Sequence, residues 1–278
     1  MRGVVTSGMT SALEHLGYRD AFDEVHGVSA GSLTGAYFVA AQAAVGETVF
    51  YDFLVSRRFV DFRRLVLRGS PMSLDYLLDE VIERERPLDY DAVLRCDIPL
   101  HVYATNLRLE QREPVALPKA ATKDELRRNF RASVLIPFVA GPPAPIDDGL
   151  YCDAGIWDSI PWRFAERAAA THILVLQSRP LNNPRRKPTA FELRFARQYF
   201  GRVAPAALEG YLTRVERYNE DCRLLARLSL ETERSPSLLA ITPHADVPHV
   251  EAYERRRQPV VDGARSGFDA VLRAFVGD

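Results

Sequence analysis

Cysteine is scarce and unpaired in this 278-residue chain: Cys96, Cys152 and Cys222 lie far apart, and no CxxC spacing occurs. That excludes a disulfide framework and a thiolate zinc site, so no metal is expected. Long apolar runs are missing too; none reaches the roughly 20 residues needed to span a bilayer. The opening MRGVVTSGMTSALEHLG is too polar to be the hydrophobic region of a secretory signal. The expectation is a cytoplasmic protein, with at most peripheral contact to membranes. Charge of one sign is also absent: 36 basic against 37 acidic residues leave a formal net charge of −1. No field draws nucleic acid to such a surface, and nucleic-acid binding is excluded. Internal repeats and low-complexity stretches are lacking as well.

What remains is a chain of 47% hydrophobic residues, enough for one large core. Val5, Met9, Leu13 and Leu16 fall at helical spacing and predict a helix from Gly3, stopped by Gly17. A short strand is expected over Glu24–Val28, then a buried helix from Ser32 to Ala44, and another helix over Leu74–Ile82. Leu100–Thr105 and Ile173–Gln177 read as strands whose unbroken apolar character suits parallel pairing under helices on both faces. Pro161 opens the helix PWRFAERAAA between them. Leu208 to Leu225 mark a long amphipathic helix, Leu238–Thr242 a closing strand, and a last helix runs to Phe275. This rhythm predicts an α/β layered sheet. Pro180–Pro188 is the one candidate linker, and its Arg185, Arg186 and Lys187 read as a solvated loop, with contact to anionic headgroups as the alternative. The aromatic stripe Phe191, Phe195, Tyr199 and Phe200 reads as a core face, with an acyl channel or lid as its alternative.

Gly27-Val28-Ser29-Ala30-Gly31 is a G-x-S-x-G pentapeptide, a pattern expected by chance about 0.05 times in such a composition. It stands between an expected strand and an expected buried helix, as a nucleophile elbow requires: glycines permit the sharp turn, and the helix N-terminus favours a developing anion. A serine hydroxyl needs a base. The histidines are His15, His26, His101, His172, His244 and His249. None has an evident acid partner; His26 reads as a packing residue and His172 as the start of a strand. The other candidate is Asp153, in IDDGLYCDAGIWDSIP. If buried beside small residues it could take the Ser29 proton directly, desolvation raising its proton affinity. Read from the residues alone, Asp153 is as well explained as a turn or cap residue in a surface loop, and Asp147, Asp148 and Asp158 better so.

Taken together, GVSAG, then Arg131-Ala132-Ser133 with Pro137, then Asp153-Ala154-Gly155 with Pro161, resemble the patatin-like phospholipases. HVYATNL and HILVLQSRP resemble that family's later strands. The resemblance covers residues 1–180, with 181–278 expected as a helical portion packed on the same domain. It implies a three-layer α/β/α sandwich with a parallel-rich central sheet, no cofactor, and lipid acyl hydrolysis by a Ser–Asp dyad without histidine. Ser29 then carries over as nucleophile and Asp153 as base, 124 residues apart; Gly27, Gly31 and Gly155 shape the site. The implied substrate is a phospholipid or lysophospholipid ester. The family's glycine-rich oxyanion loop is matched only at its end, by Met1, Arg2 and Gly3. The expectation favoured is that the reading frame starts upstream of Met1; the alternative is a weakly active protein, a lipid- or protein-binding module. A Ser-His-Asp esterase is the remaining rival.

Overall fold

The computed structural model describes residues 1–67, 69–110, 112–246 and 249–277. Ten α-helices occur among them: α1 (Gly3–His15), α2 (Ala30–Val39), α3 (Ala43–Thr48), α4 (Arg64–Leu67), α5 (Tyr90–Arg95), α6 (Lys123–Val134), α7 (Trp162–Arg167), α8 (Ala190–Val203), α9 (Pro205–Leu228) and α10 (Arg257–Phe275). Wider π-type helical turns cover Val49–Leu54 and Tyr76–Glu85. The strands are β1 (Val25–Val28), β2 (Leu100–Asn106), β3 (Val115–Ala116), β4 (Ala144–Ile146), β5 (Gly149–Asp153), β6 (His172–Leu176) and β7 (Ser237–Ile241).

The central sheet runs β1-β2-β5-β4, with β3 paired to β2, and it is mixed. β1 and β2 are parallel, as are β6 and β7, which form a separate pair. β2–β5, β4–β5 and β2–β3 are antiparallel. The expected parallel-rich sheet is therefore corrected to a mixed one. The apolar run of β2 reports burial on both faces, which a strand with parallel and antiparallel neighbours also has.

Alternation along β2 separates the layers. Val102 and Ala104 join the main core with α2, α6 and the α1–α10 pair, whereas Tyr103 packs with Val28, Ala154 and Phe164 of α7 on the other face. That is the expected α/β/α arrangement. Helix α1 is buried on nearly every side and crosses α10 closely: a Cβ on Gly8 would stand 2.0 Å from the Ala264 carbonyl oxygen, and one on Gly267 2.0 Å from that of Val5. This crossing fixes where the first turn of α1 points.

Three elements differ from expectation. The helix foreseen over Ser32–Ala44 begins at Ala30 and breaks after Val39, where Ala41 takes φ 55°; nothing in Ala40-Ala41-Gln42-Ala43 signals that turn. The helix over Leu74–Ile82 starts at Leu74 as expected but runs on to Glu85, its turns widening from Tyr76. The aromatic stripe of α8 divides: Phe200 is fully buried against Phe138 and Tyr211, while Phe191 is 77% exposed and Phe195 47%. Its first turn thus projects outward and its last turn anchors the helix. No helix among the described residues is long and apolar enough to cross a membrane.

The free edges of β1 and β6 border a cavity of about 1470 Å³, whose wall includes Val28, Ser29, Asp153, Ile173 and Val175.

Candidate active site

Ser29 takes φ 55° and ψ −126°, a backbone region that L-residues occupy only under constraint. Three contacts impose it. Gly27 passes so close to α2 that a Cβ there would stand 2.5 Å from the Ser32 Cα. The Ser29 carbonyl accepts bonds from the Ser32 amide (2.9 Å) and the Ser32 hydroxyl (2.6 Å). The Ser29 amide donates to Ser133 Oγ at 3.0 Å, and the Ser133 hydroxyl donates onward to the Tyr103 carbonyl at 2.7 Å. A fully buried serine of α6 therefore ties the turn to the central strand. The Ser29 hydroxyl does not cap α2 and is left for other work.

Asp153 stands at the end of β5, opposite Ala104 of β2. The segment read from sequence as loop is instead a hairpin, β4–β5, turning at Asp147, whose φ is 47°. Asp147 and Asp148 are turn residues as expected, and Asp158 accepts from the Ile160 amide at 2.9 Å. Register, not loop geometry, delivers Asp153 to the first turn of α2. The carboxylate accepts the Gly155 amide at 2.7 Å and is within hydrogen-bonding influence of the Ser29 side chain. Burial raises its pKa above the ordinary 3.8, opposed by the Ser29 hydrogen bond, the Gly155 amide and the Arg185 charge. No histidine acts on it among the described residues.

The other expected residues fall as follows. A Cβ on Gly155 would sit 3.0 Å from Asp153 Oδ1, so a side chain there would press on the carboxylate. Gly31 faces open space within the cavity, and nothing in the chain itself requires glycine there. Gly3 packs on Ala30, where a Cβ would meet the alanine's at 2.6 Å, so the N-termini of α1 and α2 converge beside Ser29. Arg2 precedes α1 and lines the cavity. Arg131 pairs with Asp75 at 2.6 Å.

Among the histidines, His26 bonds the Tyr103 hydroxyl at 2.7 Å and, with His101, faces Glu24 at 3.2 and 3.0 Å. The ligand atoms of Glu24, His26 and His101 lie within 4.8 Å of one another, in one half-buried cluster. His172 opens β6 and is exposed; exposed His244 pairs with Asp246 at 3.2 Å. The contribution of Ser133 was not read from sequence beyond its place in Arg131-Ala132-Ser133; no local signal marks a serine that bridges two other elements.

A patatin-like phospholipase family model matches residues 1–166. The chain belongs to the patatin-like phospholipase family. That family is one of lipid acyl hydrolases, and the match spans Ser29, Ser133 and Asp153 alike. A curated relative, the uncharacterized protein YjjU of Escherichia coli (strain K12), is 29% identical over 181 residues, 64% of this chain and 49% of its own length. The chain thus spans about half of that relative.

The raised pKa of Asp153 carries a stability consequence for this patatin-like core. Folded Asp153 holds its proton to higher pH than unfolded Asp153, so stability is lost as pH rises from 3.8 through the folded value. Asp153→Asn removes that loss. Urea unfolding at a series of pH values is expected to show the variant gaining on the wild type as pH rises, with the gain vanishing near pH 3.8; a difference that does not change with pH contradicts it.

Proposed function

We propose that the chain is a carboxylic ester hydrolase of phospholipid or lysophospholipid class, with Ser29 as nucleophile and Asp153 as its base. The observation that carries this reading is a strained serine, its hydroxyl free of capping duty, beside a buried carboxylate of raised proton affinity. Ser29 Oγ attacks the acyl carbonyl carbon while its proton passes to Asp153. The carbonyl oxygen becomes an oxyanion facing the unpaired amides at the N-termini of α1 and α2, Arg2 and Gly3 among them. Collapse expels the alcohol, which takes the proton from Asp153 and leaves an acyl group on Ser29. Asp153 then deprotonates water, which attacks the acyl carbon; collapse releases the fatty acid as Ser29 Oγ takes that proton back from Asp153. No metal or organic cofactor enters these steps.

Assay of lysophospholipid hydrolysis tests the assignment. Ser29→Ala and Asp153→Asn are each expected to lower kcat by about a thousandfold or more, because members of a catalytic unit fail together. His172→Ala, His244→Ala and His249→Ala are expected to retain turnover. Full activity in Asp153→Asn, or its loss with one histidine, turns the assignment toward a Ser-His-Asp esterase. Lipid binding without turnover by the wild type turns it toward a binding module.

Access to lipid is supported by α8, whose exposed Phe191 and Phe195 stand among exposed Arg194 and Arg197. Exposed aromatics flanked by arginines suit the interface of an anionic bilayer. Replacing both phenylalanines with serine is expected to weaken co-sedimentation with phosphatidylglycerol vesicles by about tenfold, from the apolar area lost. Unchanged binding would remove α8 from the membrane-facing side.

A further inference from the structure

Arg185 does not behave as part of a solvated loop. Asn219 of α9 clamps its backbone from both sides, Oδ1 accepting the Arg185 amide at 2.8 Å and Nδ2 donating to its carbonyl at 3.1 Å. That clamp turns the side chain inward, where the guanidinium lies 3.6 Å from the centre of the Tyr218 ring and donates to Ser159 Oγ at 3.1 Å. Its neighbours Arg186 and Lys187 stay outside, 73% and 83% exposed, with Glu192 and Glu216 as partners. The solvated-loop expectation thus holds for those two and is corrected for Arg185.

Four more arginines line the same cavity, and the charges of two of them, Arg179 and Arg2, act on Arg185. Arg179 follows β6 and is held only by long bonds to Asn183, 3.3 Å to its carbonyl and 3.5 Å to Oδ1. Arg2 lies before α1. The three act on one another electrostatically, and none has a carboxylate within 4.0 Å among the described residues. Glu251 is the carboxylate that reaches Arg2 and Arg179, and only at longer range. Among the described residues, Arg179 Nε, Arg185 Nε and His249 Nε2 are buried with no hydrogen-bond partner. Crowding and desolvation push Arg179 and Arg185 down to about 10 and His249 to about 4, so the arginines remain charged and the histidine neutral at physiological pH. Three guanidinium groups gathered with no carboxylate in direct contact among the described residues are costly to bury, and an anion compensates them best.

The cluster adjoins the reacting groups. Arg185 bonds Ser159 Oγ, which lies 3.2 Å from where a Gly155 Cβ would be, and the Gly155 amide holds Asp153. The Arg185 charge in turn acts on Asp153.

We propose that Arg2, Arg179 and Arg185 form a phosphate-binding site for the headgroup of the ester whose carbonyl meets Ser29, an assignment that rests on the hydrolase reading above. Three planar forks match the several oxygens of a phosphate, whereas one carboxylate would engage a single fork. The substrate is then a phosphate-bearing acyl ester, preferred over the neutral ester with the same acyl chain.

Two experiments separate this claim from the hydrolase reading. The first compares kcat/KM for lysophosphatidic acid and for monoacylglycerol of the same chain. The wild type is expected to favour the former, and the ratio is expected to fall by about ten- to a hundredfold in Arg185→Gln and in Arg179→Gln, the loss of one charged hydrogen bond. A ratio unchanged in both variants overturns the headgroup assignment. The second measures binding of inorganic phosphate by calorimetry, without turnover. Binding by the wild type that weakens in both variants supports the site even where neither lipid is hydrolysed, in which case the hydrolase reading alone fails. No phosphate binding by the folded wild type overturns the site. Phosphate binding with no preference between the lipids identifies a free-phosphate site and overturns the headgroup role.

Discussion

The hydrogen-bond bridge from the Ser29 amide through Ser133 to the Tyr103 carbonyl holds the site together. A residue at φ 55° and ψ −126° relaxes unless its surroundings over-determine it. Here α6 supplies the bridge, Gly27 the clearance and Ser32 the bonds to the Ser29 carbonyl. β2 is the common reference for all of them. It pairs with β1, which leads into Ser29, and with β5, which ends in Asp153. Two residues 124 positions apart therefore meet through the register of one central strand. A shift of that register by one residue would turn Asp153 to the opposite face of the sheet.

Around this frame the molecule keeps charges where solvation is poor. Asp153 is buried and holds its proton more tightly than a free aspartate, while Asp158, also largely buried, is pushed up to about 6. Arg2, Arg179 and Arg185 gather in the same cavity without carboxylate partners. Each departs from the rule that buried charge is paired, and such departures concentrate where a fold gives up stability for chemistry. The contrast with the surface is plain: Arg131, Arg163 and Arg167 each meet an acid directly.

Much of this was legible in the residues. The elbow announced itself because glycines flank a serine between an apolar strand and an apolar helix, and the first helix was bounded by its own periodicity and by Gly17, which takes φ 77°. Asp153 was legible only through the ordered set of segments that resemble the family. Prolines and paired aspartates made β4–β5 read as loop, although the turn between two short strands uses those same residue types. Strand direction was not legible either, since an apolar run states that both faces are covered and nothing about its neighbours. The inward turn of Arg185 depends on Asn219, 34 residues away, and no local pattern encodes such a clamp.

The central claim, that Ser29 is activated by Asp153, is tested most directly by labelling the native protein with a fluorophosphonate and mapping the modified peptide by mass spectrometry. The account predicts an adduct on Ser29 alone, formed far more slowly in Asp153→Asn. An adduct on another serine, or one formed equally fast without the carboxylate, would contradict it.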